Sequence, residues 1–337
     1  MQEQAFIKKK FNWKYIKKEG VNFGKGMFYL LPTLILMLVF TIYPLFNTFM
    51  ISFKEYYNYL DGSFVSYGLL NYKTVLTDGD YMNYLGNTMI ITFVSVPLTI
   101  GISLLISVAL NSVKTLQRFL QTLYFLPYVT NTIAIGMVFA VMFEPQRGLI
   151  NSVLRTLGMD AINWLGGEML VGEVADPSKA SAMFVLIFYI VWNSLPFKIL
   201  IFMSALQSID KQYYQAAQID STPKWRVFTK ITVPLLSPQI LYLMITSFIG
   251  SFKEYTSIVS IFGPEAGWLG DNKHSMATVV WYVYDMLDQN TLQTKIGDEI
   301  ITYSGVGYGA AGAFVLFIII LLFTAIQNFV SKKRVHY

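Results

Sequence analysis

Cysteine is absent from the 337-residue chain, and histidine occurs only twice, at His274 and His336. Without cysteine there is no disulfide framework and no thiolate metal site, and two histidines cannot build a histidine-based metal centre. Charge is scarce as well, because Asp, Glu, Lys and Arg make up 13% of the residues, against about 25% in soluble domains. Since 54% of the residues are hydrophobic, the composition predicts an integral membrane protein.

Motifs for nucleotide binding and catalysis are missing too. The chain contains no G-x-x-x-x-G-K-[ST] phosphate loop and no H-E-x-x-H zinc motif. No nucleophile–base pair stands out, so the sequence predicts no catalytic residue, no metal ligand and no cofactor bound by this chain. The pI near 9.0 follows from membrane topology and needs no nucleic-acid partner. Within the apolar stretches the charged residues away from the ends are Lys198, Lys253 and Glu254, too few for a proton or sodium relay.

Six apolar stretches are long enough to cross a bilayer, which takes roughly 20 residues. They are Met27–Phe53, Gly86–Leu110, Thr122–Phe143, Ser181–Leu206, Gln239–Phe262 and Gly307–Val330. The first stretch is too long for a removable signal peptide and has no small-residue cleavage pattern. The predicted fold is therefore all-α, a polytopic membrane protein with six transmembrane helices in one bundle.

The distribution of Lys and Arg predicts the orientation, because cytoplasmic loops carry an excess of both. With the N-terminus inside the cell, sixteen Lys and Arg lie in inner segments and seven in outer loops. The prediction is a multi-pass plasma-membrane protein with both termini in the cytoplasm. Residues 1–26 form a basic cytoplasmic segment, residues 27–331 the transmembrane domain and residues 332–337 a basic cytoplasmic tail.

The outer segment Glu144–Ala180 contains the amphipathic stretch "GLINSVLRTLGM". Its apolar residues share one helical face; they are Leu149, Ile150, Val153, Leu154 and Leu157. The favoured interpretation is a surface helix lying against the bundle, and the alternative is a docking site for an external partner. The other long outer segment, Pro264–Val306, is acidic and aromatic.

The segment Tyr213–Pro238 reads "YYQAAQIDSTPKWRVFTKITVPLLSP" and predicts a helix, a break and a second short helix. It resembles the EAA loop in the permease subunits of binding-protein-dependent ABC importers, whose pattern is E-A-A-x-x-D-G-A followed by F and I-x-x-P. Positions that match the pattern are Ala216, Ala217, Asp220, Phe228, Ile231 and Pro234. Gln215 stands where the family has glutamate, and Ser221 where it has glycine. The alternative interpretation is an ordinary amphipathic helix at the membrane interface.

The residues of this segment suit a helix–turn–helix. Thr222 can cap the second helix with Pro223 in its first turn, and Asp220 can bond backbone donors at the break. Ser221 would cost on the order of 1 kcal/mol if its backbone needs a positive φ. The resemblance implies that residues 211–236 couple the chain to an ATPase, through Gln215, Ala216, Ala217, Asp220, Ser221, Phe228 and Pro234.

Further stretches are similar to the sugar-type, maltose-permease-like branch of this family: "FLPYVTNTIAIGMVFAVMF", "INWLG", "VWNSLPFKILIFMSAL" and "FGP". The resemblance implies a type I ABC importer permease fold and import of a carbohydrate, namely an oligosaccharide. It also implies three protein partners: a second permease subunit forming a heterodimer, a dimeric cytoplasmic ATPase that binds ATP and Mg²⁺, and an extracellular solute-binding protein. The family's substrate positions fall on Asn193, Ser194, Phe197, Ser247, Gly250, Ser251 and Glu254.

The residues support this substrate path independently. Ser247, Ser251 and Glu254 are spaced i, i+4, i+7, which predicts one helical face. Serines in membrane helices also bond their own backbone or a neighbouring helix, so a purely structural role stays open. Lys198 and Lys253 hint at an acidic or phosphorylated solute instead of a neutral sugar. A secondary transporter or a membrane scaffold remains as an alternative of another class.

Overall fold

The computed structural model of the protein describes residues 13–113, 119, 122, 123, 126, 128–166, 178–267, 274–289, 292–296 and 298–331. The chain is mostly helical, at 74%, and divides into two compact units, Met1–Ile51 and Ser52–Tyr337. Residues 1–12, Lys114, Arg118 and the tail 332–337 with His336 lie outside the described residues.

The first unit is built on α1 (Trp13–Met37), a π-helical turn (Leu38–Ile42) and most of α2 (Tyr43–Ser52). The π turn ends two residues before Pro44, whose missing N–H and bulky ring prevent the regular helical hydrogen bond to Phe40. Residues Asn22–Ser52 form one candidate membrane span, close to the predicted Met27–Phe53. The helix itself begins earlier, at Trp13.

Two short antiparallel hairpins of the second unit correct the all-α prediction. One pairs β1 (Lys54–Glu55) with β2 (Ser66–Tyr67), and the other pairs β3 (Leu292–Ile296) with β4 (Glu299–Tyr303). They meet where the Ser304 hydroxyl donates to the Tyr57 carbonyl over 2.9 Å and accepts the Tyr59 N–H. Helix α3 (Leu70–Thr77) follows the first hairpin. Both hairpins fall in loops between apolar stretches, where hydropathy carries no strand signal.

Apolar helices make up much of the second unit. They are α4 (Gly79–Ser112), α5 (Thr132–Met142), α7 (Lys179–Ser208) and α14 (Val306–Ser331), with the short helix α6 (Leu149–Thr156) between α5 and α7. Among the described residues of the whole chain, four helices are long and apolar enough to span a membrane. Helix α5 has only 11 residues; in the first part of the predicted span Thr122–Phe143, residues 124, 125 and 127 lie outside the described residues.

The segment after α7 contains several short helices. They are α8 (Lys211–Ile219), α9 (Lys224–Val227), a π-helical turn (Phe228–Thr232), α10 (Val233–Leu235), α11 (Ser237–Phe252) and α12 (Thr256–Phe262). The stretch Lys224–Leu235 is bent by 67° from Ser237–Phe252, and the pair counts as a fifth span only if taken together. The predicted continuous span Gln239–Phe262 is wrong, because the helix stops at Phe252 and restarts at Thr256. Helix α13 (Val279–Asp288) precedes the second hairpin.

Small residues let these helices pack closely. One face of α4 is polar and fully buried; it carries Thr88, Thr92, Ser95, Thr99, Ser103 and Ser107. The Ser107 hydroxyl lies 3.2 Å from the Ile199 carbonyl of α7, and Ser194 donates to Thr99 over 3.4 Å. In α5, a Cβ on Gly136 would overlap the Ser260 hydroxyl of α12. In lipid the hydrophobic effect does not drive helices together, so the van der Waals contacts of such close packing stabilise their association.

Candidate functional site

Helix α8 forms the first half of the loop that the sequence singled out. The Asp210 carboxylate caps it by accepting the Gln212 N–H over 2.9 Å. Gln215 and Ala216 are exposed, whereas Ala217 is only 5% exposed within the chain itself. The resemblance implies that both Ala216 and Ala217 contact the ATPase. In the structure only Ala216 is exposed, and Ala217 is buried against the chain itself.

The break after α8 is a Schellman motif, in which two backbone bonds close the end of the helix. The Thr222 N–H donates to the Ala217 carbonyl over 2.9 Å, and the Ser221 N–H to the Gln218 carbonyl over 3.0 Å. Ser221 has φ 50°, a left-handed conformation that favours glycine. The expected cost of serine in the family's glycine position, on the order of 1 kcal/mol, therefore applies here.

The second half of the loop begins at Pro223, which is itself the N-cap of α9 and makes no side-chain cap bond. The expectation that Thr222 caps this helix is wrong, because its side chain makes no cap bond to the start of the helix. Asp220 is exposed at the end of α8, and its N–H donates to the Ala216 carbonyl over 3.0 Å. The break is thus closed by backbone groups rather than by the Asp220 side chain.

Phe228 and Pro234 lie in the part of the loop that turns towards α11. Phe228 starts the π-helical turn and is half-buried, and Pro234 stands in α10. Tyr214 of α8 and Thr232 of the π turn lie 3.3 Å apart through their hydroxyls. A cavity of about 520 Å³ lies between the loop and the ends of α4 and α7, lined by Val108, Leu206, Ala217 and Phe228 among others.

The loop also exposes apolar residues that sequence reasoning missed. Ile219 is 85% and Trp225 is 71% exposed, on either side of the break. The basic residues Lys211, Lys224, Arg226 and Lys230 are exposed as well. Exposed tryptophan and isoleucine beside charged residues are typical of a protein–protein contact. The signal was in the sequence, since neither residue fits the buried face of a helix.

The predicted substrate residues of α7 lie around a proline. Pro196 cannot donate to the Trp192 carbonyl, so the helix is loosened at the turn that carries Asn193 and Ser194. Ser194 donates to the Val191 carbonyl over 3.2 Å as well as to Thr99, which favours the structural role left open for it. Phe197 is half-buried and stacks on Tyr128, with ring centroids 5.8 Å apart.

On α11, Ser247 is half-buried, Gly250 is exposed and Ser251 is buried. A side chain at Gly250 would meet nothing within 4 Å. The Ser251 hydroxyl has no hydrogen-bond partner among the described residues. Burying such a hydroxyl unpaired costs roughly 1–3 kcal/mol, so Ser251 is the serine of this helix best suited to bind another polar group.

Glu254 does not share a helical face with Ser247 and Ser251. It lies in the break between α11 and α12, where Lys253 is the C-cap of α11. Its carboxylate accepts the Ser257 N–H over 3.0 Å and its carbonyl accepts the Thr278 hydroxyl over 2.8 Å. The carboxylate thus satisfies a donor at the start of α12, and the prediction of one continuous face is wrong at this residue.

Residues 98–336 match the family described as "Binding-protein-dependent transport system inner membrane component". The chain belongs to this family. It is a transport subunit of a membrane complex and not an enzyme.

Curated relatives in this family align over most of the chain. The arabinooligosaccharides transport system permease of Bacillus subtilis is 29% identical over 299 residues, 88% of this chain and 85% of the relative. The trehalose/maltose transport system permease of Thermococcus litoralis is 28% identical over 310 residues, 92% and 94% of the two chains. The sn-glycerol-3-phosphate transport system permease of Agrobacterium fabrum is 28% identical over 307 residues, 91% and 94% of the two chains.

Solved structures share the fold of this inner membrane component. A chain of a bacterial alginate ABC transporter, crystallised with an alginate pentasaccharide-bound periplasmic protein, superposes with a TM-score of 0.74. Identity is 19%, and the match covers 96% of this chain and 98% of the other. At this identity the likeness shows the fold alone.

Lys198 of α7 is one of the charged residues that lie within the apolar stretches of the sequence. Its side chain is 8% exposed, and the ion pair found among the described residues is His274–Glu265, far along the chain. A charged residue inside a membrane helix is costly and is by default a functional candidate. The described residues contain no cluster of three His, Asp or Glu that could hold a metal ion.

Proposed function

We propose that this inner membrane component is the permease subunit of an ABC importer and forms the translocation path for a carbohydrate, namely an oligosaccharide. The observation that carries the proposal is the loop 211–236. It is a compact helix–turn–helix, closed by backbone bonds and carrying the EAA-type residues, between the apolar helices α7 and α11. The oligosaccharide is supported by the names of the arabinooligosaccharide and trehalose/maltose relatives.

The loop is the proposed joint to a separate dimeric cytoplasmic ATPase, which binds ATP and Mg²⁺. Gln215, Ala216, Asp220 and Ser221 are exposed and available for contact. Ala217, Phe228 and Pro234 are buried or half-buried and hold the loop against the chain's own spans. The remaining proposed partners are a second permease subunit, forming a heterodimer, and an extracellular solute-binding protein.

The proposed topology has six membrane spans in a type I importer permease fold. The third span corresponds to Thr122–Phe143, and the fifth is interrupted at residues 253–255. Both termini are cytoplasmic, with residues 1–26 and 332–337 as basic segments on either side of the transmembrane domain 27–331. The excess of Lys and Arg in the inner segments supports this orientation.

The proposed substrate path runs along the loosened turn of α7 and the end of α11. Asn193 and Phe197 offer an amide and an aromatic plate, the two groups that suit sugar hydroxyls and sugar faces. On α11 the path includes Ser247, Gly250 and Ser251; the Ser251 hydroxyl is buried and has no partner within the described part of the chain. Ser194 and Glu254 contribute by fixing the helix positions, through the bonds they make to Thr99 and to Ser257.

An acidic or phosphorylated solute is the second candidate. Lys198 favours it, because its ammonium group is buried on α7 with no carboxylate in an ion pair among the described residues. The glycerol-3-phosphate permease among the relatives agrees with such a solute. An ammonium group can also donate hydrogen bonds to neutral hydroxyls, so Lys198 is compatible with both candidates.

The test is reconstitution of the chain with its partner permease, ATPase and solute-binding protein, identified by co-purification. ATP hydrolysis in the vesicles should rise when the binding protein is added outside with an oligosaccharide, and should not rise with the binding protein alone. Vesicles that lack this chain are the control. Hydrolysis that responds only to a sugar phosphate would replace the first candidate by the second, and no response at all would count against the importer role.

A further inference from the structure

The short helix α6 has three distinct sides. At about 100° per residue, Ile150, Asn151 and Leu154 share the side that is buried or half-buried against the rest of the second unit. Leu149, Val153 and Leu157 share the next side and are 57%, 50% and 70% exposed. The third side is exposed and polar; it carries Ser152, Arg155 and Thr156.

Two of these sides have an explanation within the chain. The buried side is fixed by Asn151, whose amide donates to the carbonyls of Pro145 and Ile162 over 2.8 Å each. On the polar side, Arg155 donates to the Gln146 carbonyl over 2.9 Å, and the Ser152 and Thr156 hydroxyls donate to the carbonyls four residues before them. The exposed apolar side, between the two, is not covered by any of the residues that the structure describes.

Contacts of α6 set its level relative to the spans. The Asn151 side chain accepts the indole N–H of Trp164 over 2.9 Å. The Trp164 ring contacts Phe143, the residue after α5, and Phe184, near the start of α7. Trp164 therefore lies where two apolar helices end, and tryptophan with one polar and one apolar end is enriched at the membrane–water interface.

Helix α5, which precedes α6 in the chain, also exposes apolar side chains. Met137, Val138 and Val141 of α5 are all more than half exposed. Only lipid or another apolar partner can cover such a surface on a membrane helix. From Val141 the chain reaches α6 within eight residues, through a turn that Gly148 keeps tight, since a Cβ there would overlap the Glu144 and Met142 carbonyls.

We propose that α6 is an interfacial helix that lies in the membrane surface beside the bundle. Its first side packs on the protein, its apolar side enters the acyl-chain region and its polar side faces water and lipid headgroups. The occupant of the exposed side is the lipid bilayer. This is the geometry of an amphipathic helix in the interface plane, here bound on one flank to its own bundle, and it holds whichever solute is transported.

The absence of cysteine allows a direct test with single spin-labelled cysteines in the otherwise native chain, within the transporter reconstituted in phosphatidylcholine–phosphatidylglycerol vesicles. Val153→Cys and Leu157→Cys probe the apolar side, and the matched controls Ser152→Cys and Arg155→Cys probe the polar side of the same helix. Collisions with oxygen, which concentrates in lipid, are compared with collisions with a water-soluble nickel chelate.

Oxygen collisions should exceed nickel collisions at 153 and 157, and the ratio should reverse at 152 and 155. Three outcomes would overturn the proposal. Nickel access at all four positions would mean that the helix lies in water. Closure of 153 and 157 to both reagents would mean that a second subunit covers them. Closure of these positions only after addition of the solute-binding protein would make this side a docking site for that protein.

Discussion

The Thr278 hydroxyl donates a 2.8 Å hydrogen bond to the Glu254 carbonyl, and this bond connects the break in the interrupted span to the start of α13. The same region is tied to α4. Thr88 accepts the Val279 N–H over 3.2 Å, and the Asn87 amide donates to the Ala277 carbonyl over 2.8 Å. The break between α11 and α12 is therefore a braced joint, in which the Glu254 carbonyl and the Ser257 N–H both have partners.

Removing the hydroxyl should loosen this joint. Thr278→Val keeps the shape of the side chain but leaves the Glu254 carbonyl and the Trp281 N–H without their partner, at a cost of about 1–3 kcal/mol. The thermal unfolding temperature of the purified chain should fall. Thr278→Ser, which keeps the hydroxyl, is the matched control and should retain most of the stability. Stability that is lost in Thr278→Ser but kept in Thr278→Val would mean that the methyl group, not the bond, holds the joint.

Relief of the backbone strain at Ser221 should stabilise the loop 211–236. Ser221→Gly places the residue that favours φ 50° at the end of α8 and should gain about 1 kcal/mol. Ser221→Ala keeps a Cβ and should gain nothing. The comparison is the unfolding temperature of the two variants together with the amount of ATPase retained on the tagged chain. The strain argument fails if alanine and glycine behave alike.

Adjacent alanines of α8 should respond differently to a large side chain. Ala217 is buried within the chain, so Ala217→Trp should overpack it and destabilise the chain itself by about 1–3 kcal/mol. Ala216 is exposed, so Ala216→Trp should leave the unfolding temperature unchanged while it displaces the ATPase. Pull-down of the ATPase beside a melting curve separates the two effects. Retention of the ATPase at wild-type level by the Ala216 variant would argue against this face as the joint.

The close crossing of α5 and α12 should depend on Gly136. Gly136→Ala introduces a methyl group against the Ser260 hydroxyl, with an overpacking cost of about 1–3 kcal/mol. The double variant Gly136→Ala, Ser260→Gly removes the Ser260 side chain and should recover much of the stability that Gly136→Ala loses. The measurement is the unfolding temperature of the single and double variants. Lack of recovery would indicate that the helices are held apart by other contacts.

Sequence patterns predicted the parts of this fold that depend on local rules. Hydropathy found α7 and α14 within two residues at each end and located α4, which begins seven residues before the predicted start. The glycine position of the EAA pattern anticipated the positive φ of Ser221. Hydropathy did not predict the break at Glu254, because apolar residues continue on both sides of it. The bonds of Glu254 to Ser257 and Thr278 form only in the folded chain. Burial of Ala217, unlike Ala216, likewise depends on how α8 rotates against α4 and α7, which the local pattern does not determine.

Lys198 gives the sharpest distinction between the two solute candidates. A lysine at the centre of a membrane helix costs about 2.5–3.5 kcal/mol, so Lys198→Met should raise the unfolding temperature. If the ammonium group neutralises an anionic solute, the same variant should lose uptake of a sugar phosphate or an acidic oligosaccharide and keep uptake of a neutral one. Lys198→Arg, which keeps the charge, should retain both.

Uptake of radiolabelled neutral and anionic solutes by vesicles of the three proteins is the measurement. A methionine variant that transports both kinds of solute normally would assign Lys198 to structure, and one that loses the neutral oligosaccharide alone would make its ammonium group a hydrogen-bond donor to sugar hydroxyls.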